Sequence, residues 1–136
     1  MKKKIFSLVL LMSLVLVLSA CGGSSGASTD IKVTFTDFHF TPDTFTVPAG
    51  KEITITAKND GAVQHEFVIF KLGETAGDKF GDEDEENIYW EVEVMPGETQ
   101  TVTFTAPTEP GEYYLTCGIE GHLEAGMNGK FIVVTE

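Results

Sequence analysis

The chain has 136 residues, with 21 acidic side chains against nine basic ones, all of them lysine. Setting aside Lys2, Lys3 and Lys4 with the leader described next leaves six cations and a net charge of −15. Such a field excludes partners held by phosphate neutralisation, nucleic acid first among them, and favours fast encounter with a basic protein or, more simply, solubility.

Residues 1–20 read as a signal peptide: three lysines, then an apolar run over residues 5–20 that falls short of the roughly 20 residues a membrane-spanning helix needs. The run ends Leu18-Ser19-Ala20-Cys21, which resembles the lipobox of bacterial lipoproteins and makes Cys21 the candidate lipidation site. The alternative is an ordinary cleaved leader beside an incidental cysteine. Residues 21–29 are then the lipidated Cys and a flexible linker, GGSSGAST, that lets the following domain move roughly 16 Å from its anchor. Membrane contact is expected through the anchor only, on the extracytoplasmic side, periplasmic or at the cell surface. Residues 30–136 are enough for one domain and too few for two. That domain has a single cysteine, Cys117, so it has no internal disulfide, and a lone thiol in an oxidising compartment needs an occupant.

The periodicity over residues 30–136 is that of strands. Ile31, Val33 and Phe35 alternate with polar residues; Phe45 and Val47 alternate before the turn Pro48-Ala49-Gly50; Ile53, Ile55 and Ala57 alternate before Asn59-Asp60-Gly61. Further strands are expected over residues 63–70, 91–95, 99–105, 112–116 and 130–135, with Pro96-Gly97 and Pro110-Gly111 as turns. Seven or eight short strands without a sustained helical period imply an all-β Greek-key sandwich of two antiparallel sheets. Residues 71–89 break the rhythm and contain GDEDEEN. This stretch lacks the ligand spacing of a calcium loop, so it is either a solvated acidic loop or a docking surface for a basic partner. Tyr89 and Trp90 close it, as core or as cover over the sheet edge, not as a ligand-stacking site.

The chemistry concentrates in Cys117-Gly-Ile-Glu-Gly-His122-Leu-Glu-Ala-Gly-Met127, between two expected strands. A thiolate, an imidazole and a thioether suit copper, and two histidines with one cysteine and a weak axial methionine form the donor set of blue-copper electron-transfer sites. His65, in an expected strand at the end of a sheet, is the candidate for the second imidazole. A hydrolytic zinc site is disfavoured by Met127 and by the want of a nearby general base. No Ser-His-Asp set, second metal motif or phosphate-cradling loop is present, so no enzymatic activity is expected. His39 has no such context and reads as structural or exposed.

With these residues in view, the chain resembles the cupredoxins, the family of plastocyanin, azurin, auracyanin and rusticyanin, over nearly all of residues 30–136. The matching segments are FTVPAG at 45–50, NDGAVQH at 59–65, PGEYYLTC at 110–117 and GMNG at 126–129, and the loop spacing is similar to that of auracyanin and rusticyanin. The resemblance implies one type 1 copper held by His65, Cys117, His122 and Met127, and a monomer exchanging single electrons with a redox protein, on which the acidic charge of this chain calls for a basic patch. It also implies that the His122 ring edge reaches solvent among Ala62, Leu123 and Ala125. Asn59 and Glu66 are the expected neighbours of the ligand shell. Glu66 departs from the pattern, since many members of the family carry Asn or Ser there. His-Glu-Phe is similar to periplasmic cupredoxins that handle copper, which keeps a copper carrier or copper-resistance role as the alternative.

Overall fold

The computed structural model describes residues 26–136, so the leader, Cys21 and the first half of the linker lie outside the described residues. Among the described residues nine strands form two sheets: β1 (Asp30–Thr36), β2 (His39–Thr41), β3 (Thr44–Pro48), β4 (Glu52–Asn59), β5 (His65–Phe70), β6 (Ile88–Val94), β7 (Thr99–Thr105), β8 (Gly111–Thr116) and β9 (Asn128–Val134). One sheet has the order β2-β1-β4-β7 and the other β3-β9-β8-β5-β6. The all-β sandwich is as expected from the alternation, with one more strand. The addition is β2, whose three residues are too few to display a period.

The sheets are not wholly antiparallel, which corrects the expectation from sequence. β1 pairs with β4 in parallel, and so does β3 with β9. The chain leaves the first sheet after β2, adds β3 to the second and returns as β4. That crossover brings β4 beside β1 in the same direction, which no two-residue hairpin could do.

Alternation puts Ile31, Val33 and Phe35 of β1 and Ile53, Ile55 and Ala57 of β4 inside, against Phe67, Ile69, Leu115 and Phe131 from the other sheet. Phe67 meets Phe40 and Phe45 edge-on at 5.5 and 5.3 Å. Tyr113, at the start of the β8 core face, donates its hydroxyl to the Glu109 carbonyl at 2.7 Å, the corner contact that pins a Greek-key crossing. The β6–β7 turn is set by Pro96-Gly97: Gly97 sits at φ +79°, and the Glu98 N–H returns to the Met95 carbonyl at 3.0 Å.

The stretch 71–87 is more than a solvated loop. β5 is buried on both faces, because Val68 and Phe70 pack outward beneath Ala76, Leu123 and the half-buried Phe80. This connection covers the outer face of β5, and its end is a short 3-10 helix, Asp82–Asn87. Tyr89 and Trp90 belong to β6. Trp90 stacks on Phe104 of the opposite sheet at 4.1 Å and Tyr89 bonds the Thr105 carbonyl, so both cover the open β6–β7 edge as anticipated.

Candidate metal centre

The site lies at one end of the second sheet. His65 is the first residue of β5, and its side chain continues the core-facing row of Phe67 and Ile69, fully buried. Asn59 fixes the connection that precedes it. At the buried end of β4 it donates through Nδ2 to the Val63 and Val94 carbonyls at 2.8 and 2.9 Å, and its Oδ1 accepts the Gly61 N–H at 2.8 Å. One amide thus ties the β4–β5 loop to the end of β6.

Cys117 follows β8 directly, and residues 117–127 form a closed loop. The Cys117 N–H bonds the Met127 carbonyl at 3.1 Å, the Met127 N–H bonds the His122 carbonyl at 3.0 Å, and the Thr116 hydroxyl also reaches the Met127 carbonyl at 3.2 Å. This loop delivers His122 beside His65. Their Nδ1 atoms are 3.2 Å apart, and Cys117 Sγ lies 3.3 Å from His122 Nδ1 and 3.9 Å from His65 Nδ1. Among the described residues, these three are the one group of His, Cys, Asp or Glu side chains that could hold a metal ion, all donor atoms falling within 4.8 Å of one another. Met127 is fully buried in the same apolar cluster as Cys117.

The electrostatics suit a cation that is soft and displaces protons. Burial pushes the Cys117 thiol up to about 11, with the N–H groups of Glu66 and Ile119 acting against it, so a metal that binds there must displace the proton. Burial and the neighbouring His65 together lower the affinity of His122 for a proton. Two imidazoles and a thiol converge, and among the described residues no carboxylate belongs to that cluster of donor atoms. That donor set fits copper.

Glu66 does stand close. Its N–H donates to Cys117 Sγ at 3.4 Å, and its half-buried carboxyl rests against Gly118, where a Cβ would strike its Oε2. Burial first, then repulsion from Glu91, Glu93 and Glu85, pushes that carboxyl up to about 7. The solvent edge differs from expectation in one respect. His122 keeps 7% of its surface exposed, and Ala62 and Ala125 are exposed, but Leu123 turns inward to Val68 and Phe70 instead of rimming the histidine. His39 is exposed and takes no part.

Two residues that the sequence did not single out complete the enclosure, both from the β1–β2 turn. The half-buried Phe38 ring meets His122 edge-on at 4.7 Å, and Asp37 Oδ1 lies 2.9 Å from His65 Nε2. The pairing spans 28 residues, and nothing in the TDFHF segment marks Asp37 out from the other acids.

Known proteins agree with this architecture. The profile of the cupredoxin-like domain matches residues 8–133. Auracyanin-A of Chloroflexus aurantiacus is 35% identical, over 93% of this chain and 94% of its own. The copper-resistant cuproprotein CopI of Rubrivivax gelatinosus is 31% identical, over 82% of this chain and 70% of its own. The crystal structure of dithionite-reduced auracyanin from Roseiflexus castenholzii superposes with a TM-score of 0.68 at 35% identity, covering 80% of this chain and 99% of that one.

Proposed function

The chain belongs to the cupredoxin-like family, and we propose that it is a one-electron carrier of the extracytoplasmic face of a membrane, built around one type 1 copper ion. The observation that carries this reading is the convergence of His65 Nδ1, His122 Nδ1 and Cys117 Sγ, all buried, on two segments locked by backbone hydrogen bonds. In this reading those three side chains, together with the buried Met127, would hold the ion. Bound copper supplies the one-electron couple. The protein's part is to hold the donors still, so that a change of oxidation state demands little movement. Asn59 clamps the His65 side and the Cys117–Met127 bonds clamp the other. Phe38 and the apolar cluster keep water from the donors.

Copper-loaded, oxidised protein is expected to absorb intensely in the visible through its Cys117 thiolate, and Cys117→Ser to lose the band while circular dichroism reports an intact sandwich. A wild-type copper complex without colour overturns the type 1 assignment.

A second reading, copper handling, is favoured by the similarity to CopI and by Glu66 beside Cys117. Copper off-rate separates the two. An electron carrier retains its metal through many redox cycles, whereas a metal carrier releases it to an acceptor chelator in either oxidation state.

A further inference from the structure

We propose that Asp37 is the positioning residue of the centre: its carboxylate fixes the His65 ring as the Nε2–H tautomer, turns Nδ1 toward Cys117 and His122, and holds down the reduction potential from outside the ligand set. The consequence for potential rests on the copper reading above, whereas the tautomer does not.

Three observations meet at this carboxylate. Asp37 Oδ1 is 2.9 Å from His65 Nε2, and an ionised carboxylate only accepts, so Nε2 carries the proton and, in the neutral ring that binds a metal, Nδ1 keeps its lone pair. The Ala62 N–H donates to both carboxylate oxygens, at 3.0 Å to Oδ2 and 3.2 Å to Oδ1. The carboxylate therefore cannot swing away from the ring without giving up the loop that leads into β5.

The third observation is steric. Gly61 sits against this pair, and a Cβ there would fall on Asp37 Oδ1 and within 2.8 Å of His65 Nε2. Its neighbour on the other side is Asn59 Oδ1, at 3.1 Å from the same point. A side chain at position 61 and the Asp37–His65 hydrogen bond are incompatible. The missing side chain is what lets a carboxylate from the β1–β2 turn reach a histidine of the opposite sheet.

A carboxylate bonded to the far nitrogen of a metal-bound histidine makes the ring a stronger donor and fixes its orientation. The charge favours the more highly charged oxidation state of whatever ion the ring holds. Asp37 is an exposed residue that keeps about a third of its side chain in solvent, so this influence is moderated by water but not removed.

The first arm of the test needs no metal. Long-range 15N–1H correlation spectra of the copper-free wild-type domain should show His65 as a single Nε2–H tautomer. Asp37→Asn, which keeps an acceptor oxygen, should preserve it; Asp37→Ala and Gly61→Ala should both yield mixed tautomers. The second arm is electrochemical. Asp37→Asn and Asp37→Ala should shift the potential upward with the visible band retained, and Asp37→Ala should weaken copper binding about 10- to 100-fold. A His65 tautomer unchanged in Asp37→Ala, or potentials equal to wild type in both Asp37 variants, overturns the proposal. A wild-type protein that binds no copper would instead sink the copper reading and leave the tautomer result standing.

Discussion

Glu66 places a carboxyl where the Cys117–Gly118 peptide turns away from the centre, and its surroundings oppose its ionisation. The group is half-buried and faces Glu91, Glu93 and Glu85, which together push it up to about 7. An acid whose folded-state affinity for protons exceeds its unfolded one destabilises the fold once pH passes the unfolded value near 4.5. The loss grows until about pH 7 and is constant above it. Glu66→Gln should therefore stabilise the copper-free domain at pH 8 by about 1 kcal/mol, a figure reduced for solvent screening, and have no effect at pH 4. Thermal midpoints at the two pH values check this, and equal shifts at both would show that the side chain acts through packing. In the loaded protein at pH 8 the same substitution should raise the reduction potential, since it removes negative charge beside Cys117. At this scale the sequence was informative where donors cluster locally. Cys117, His122 and Met127 share one loop, so spacing alone nominated them. Asp37 was silent because its importance arises only when the β1–β2 turn meets β5.

Among the elements, the joint between β4, the β4–β5 loop and β6 carries the histidine side of the centre, and Asn59 is its fastener. Asn59→Ala would strand the Val94 carbonyl, in a buried hydrogen bond, together with the part-buried Val63 carbonyl and Gly61 N–H. Buried groups left without partners cost about 1–3 kcal/mol each before relaxation, so a net destabilisation of about 2–3 kcal/mol is expected. It should appear as a lower urea midpoint with unchanged slope; a midpoint within error of wild type would mean that water replaces the amide without loss. The strands themselves were legible because one face of each is wet, as in β1 and β4, where apolar and polar residues alternate cleanly. Legibility ended where that condition failed. β5 is covered on both faces, so its run of Phe67, Val68, Ile69 and Phe70 does not reveal which residues face the sandwich. The cover over its outer face comes from Ala76 and Phe80, which lie in a segment with no period to announce them. The two parallel pairs were equally hidden, since they follow from crossovers between sheets and not from any local pattern.

For the whole molecule the dominant physical quantity is charge, −15 over the segment that follows the expected leader. Tethering through Cys21 at the membrane would confine the domain to meet partners nearby, and the distribution of acid decides which face they meet. The 3-10 helix presents Asp82, Glu83, Glu85 and Glu86 to solvent, while Asp84 turns inward to accept the Gly81 N–H at 2.9 Å. Beside it a cleft is lined by Asp82, Glu85, Glu120 and Glu124, with Lys79 as the one cation in its lining, and the lining includes Gly118, next to Cys117. The acidic surface thus adjoins the cysteine side of the centre, not only a remote loop. A redox partner with a basic patch should be steered to this side, and its association rate should fall as salt shortens the screening length to about 8 Å at physiological strength. Converting Asp82, Glu83, Glu85 and Glu86 to their amides tests the idea without disturbing the fold, because Asp84 and its hydrogen bond are left in place. At low salt the variant should transfer electrons to its native partner more slowly, and its rate should depend less on added salt. Colour and potential should stay close to wild type, since the four side chains are exposed. Stopped-flow rates indifferent both to salt and to the four substitutions would assign the acid to solubility alone and place the electron-transfer contact elsewhere.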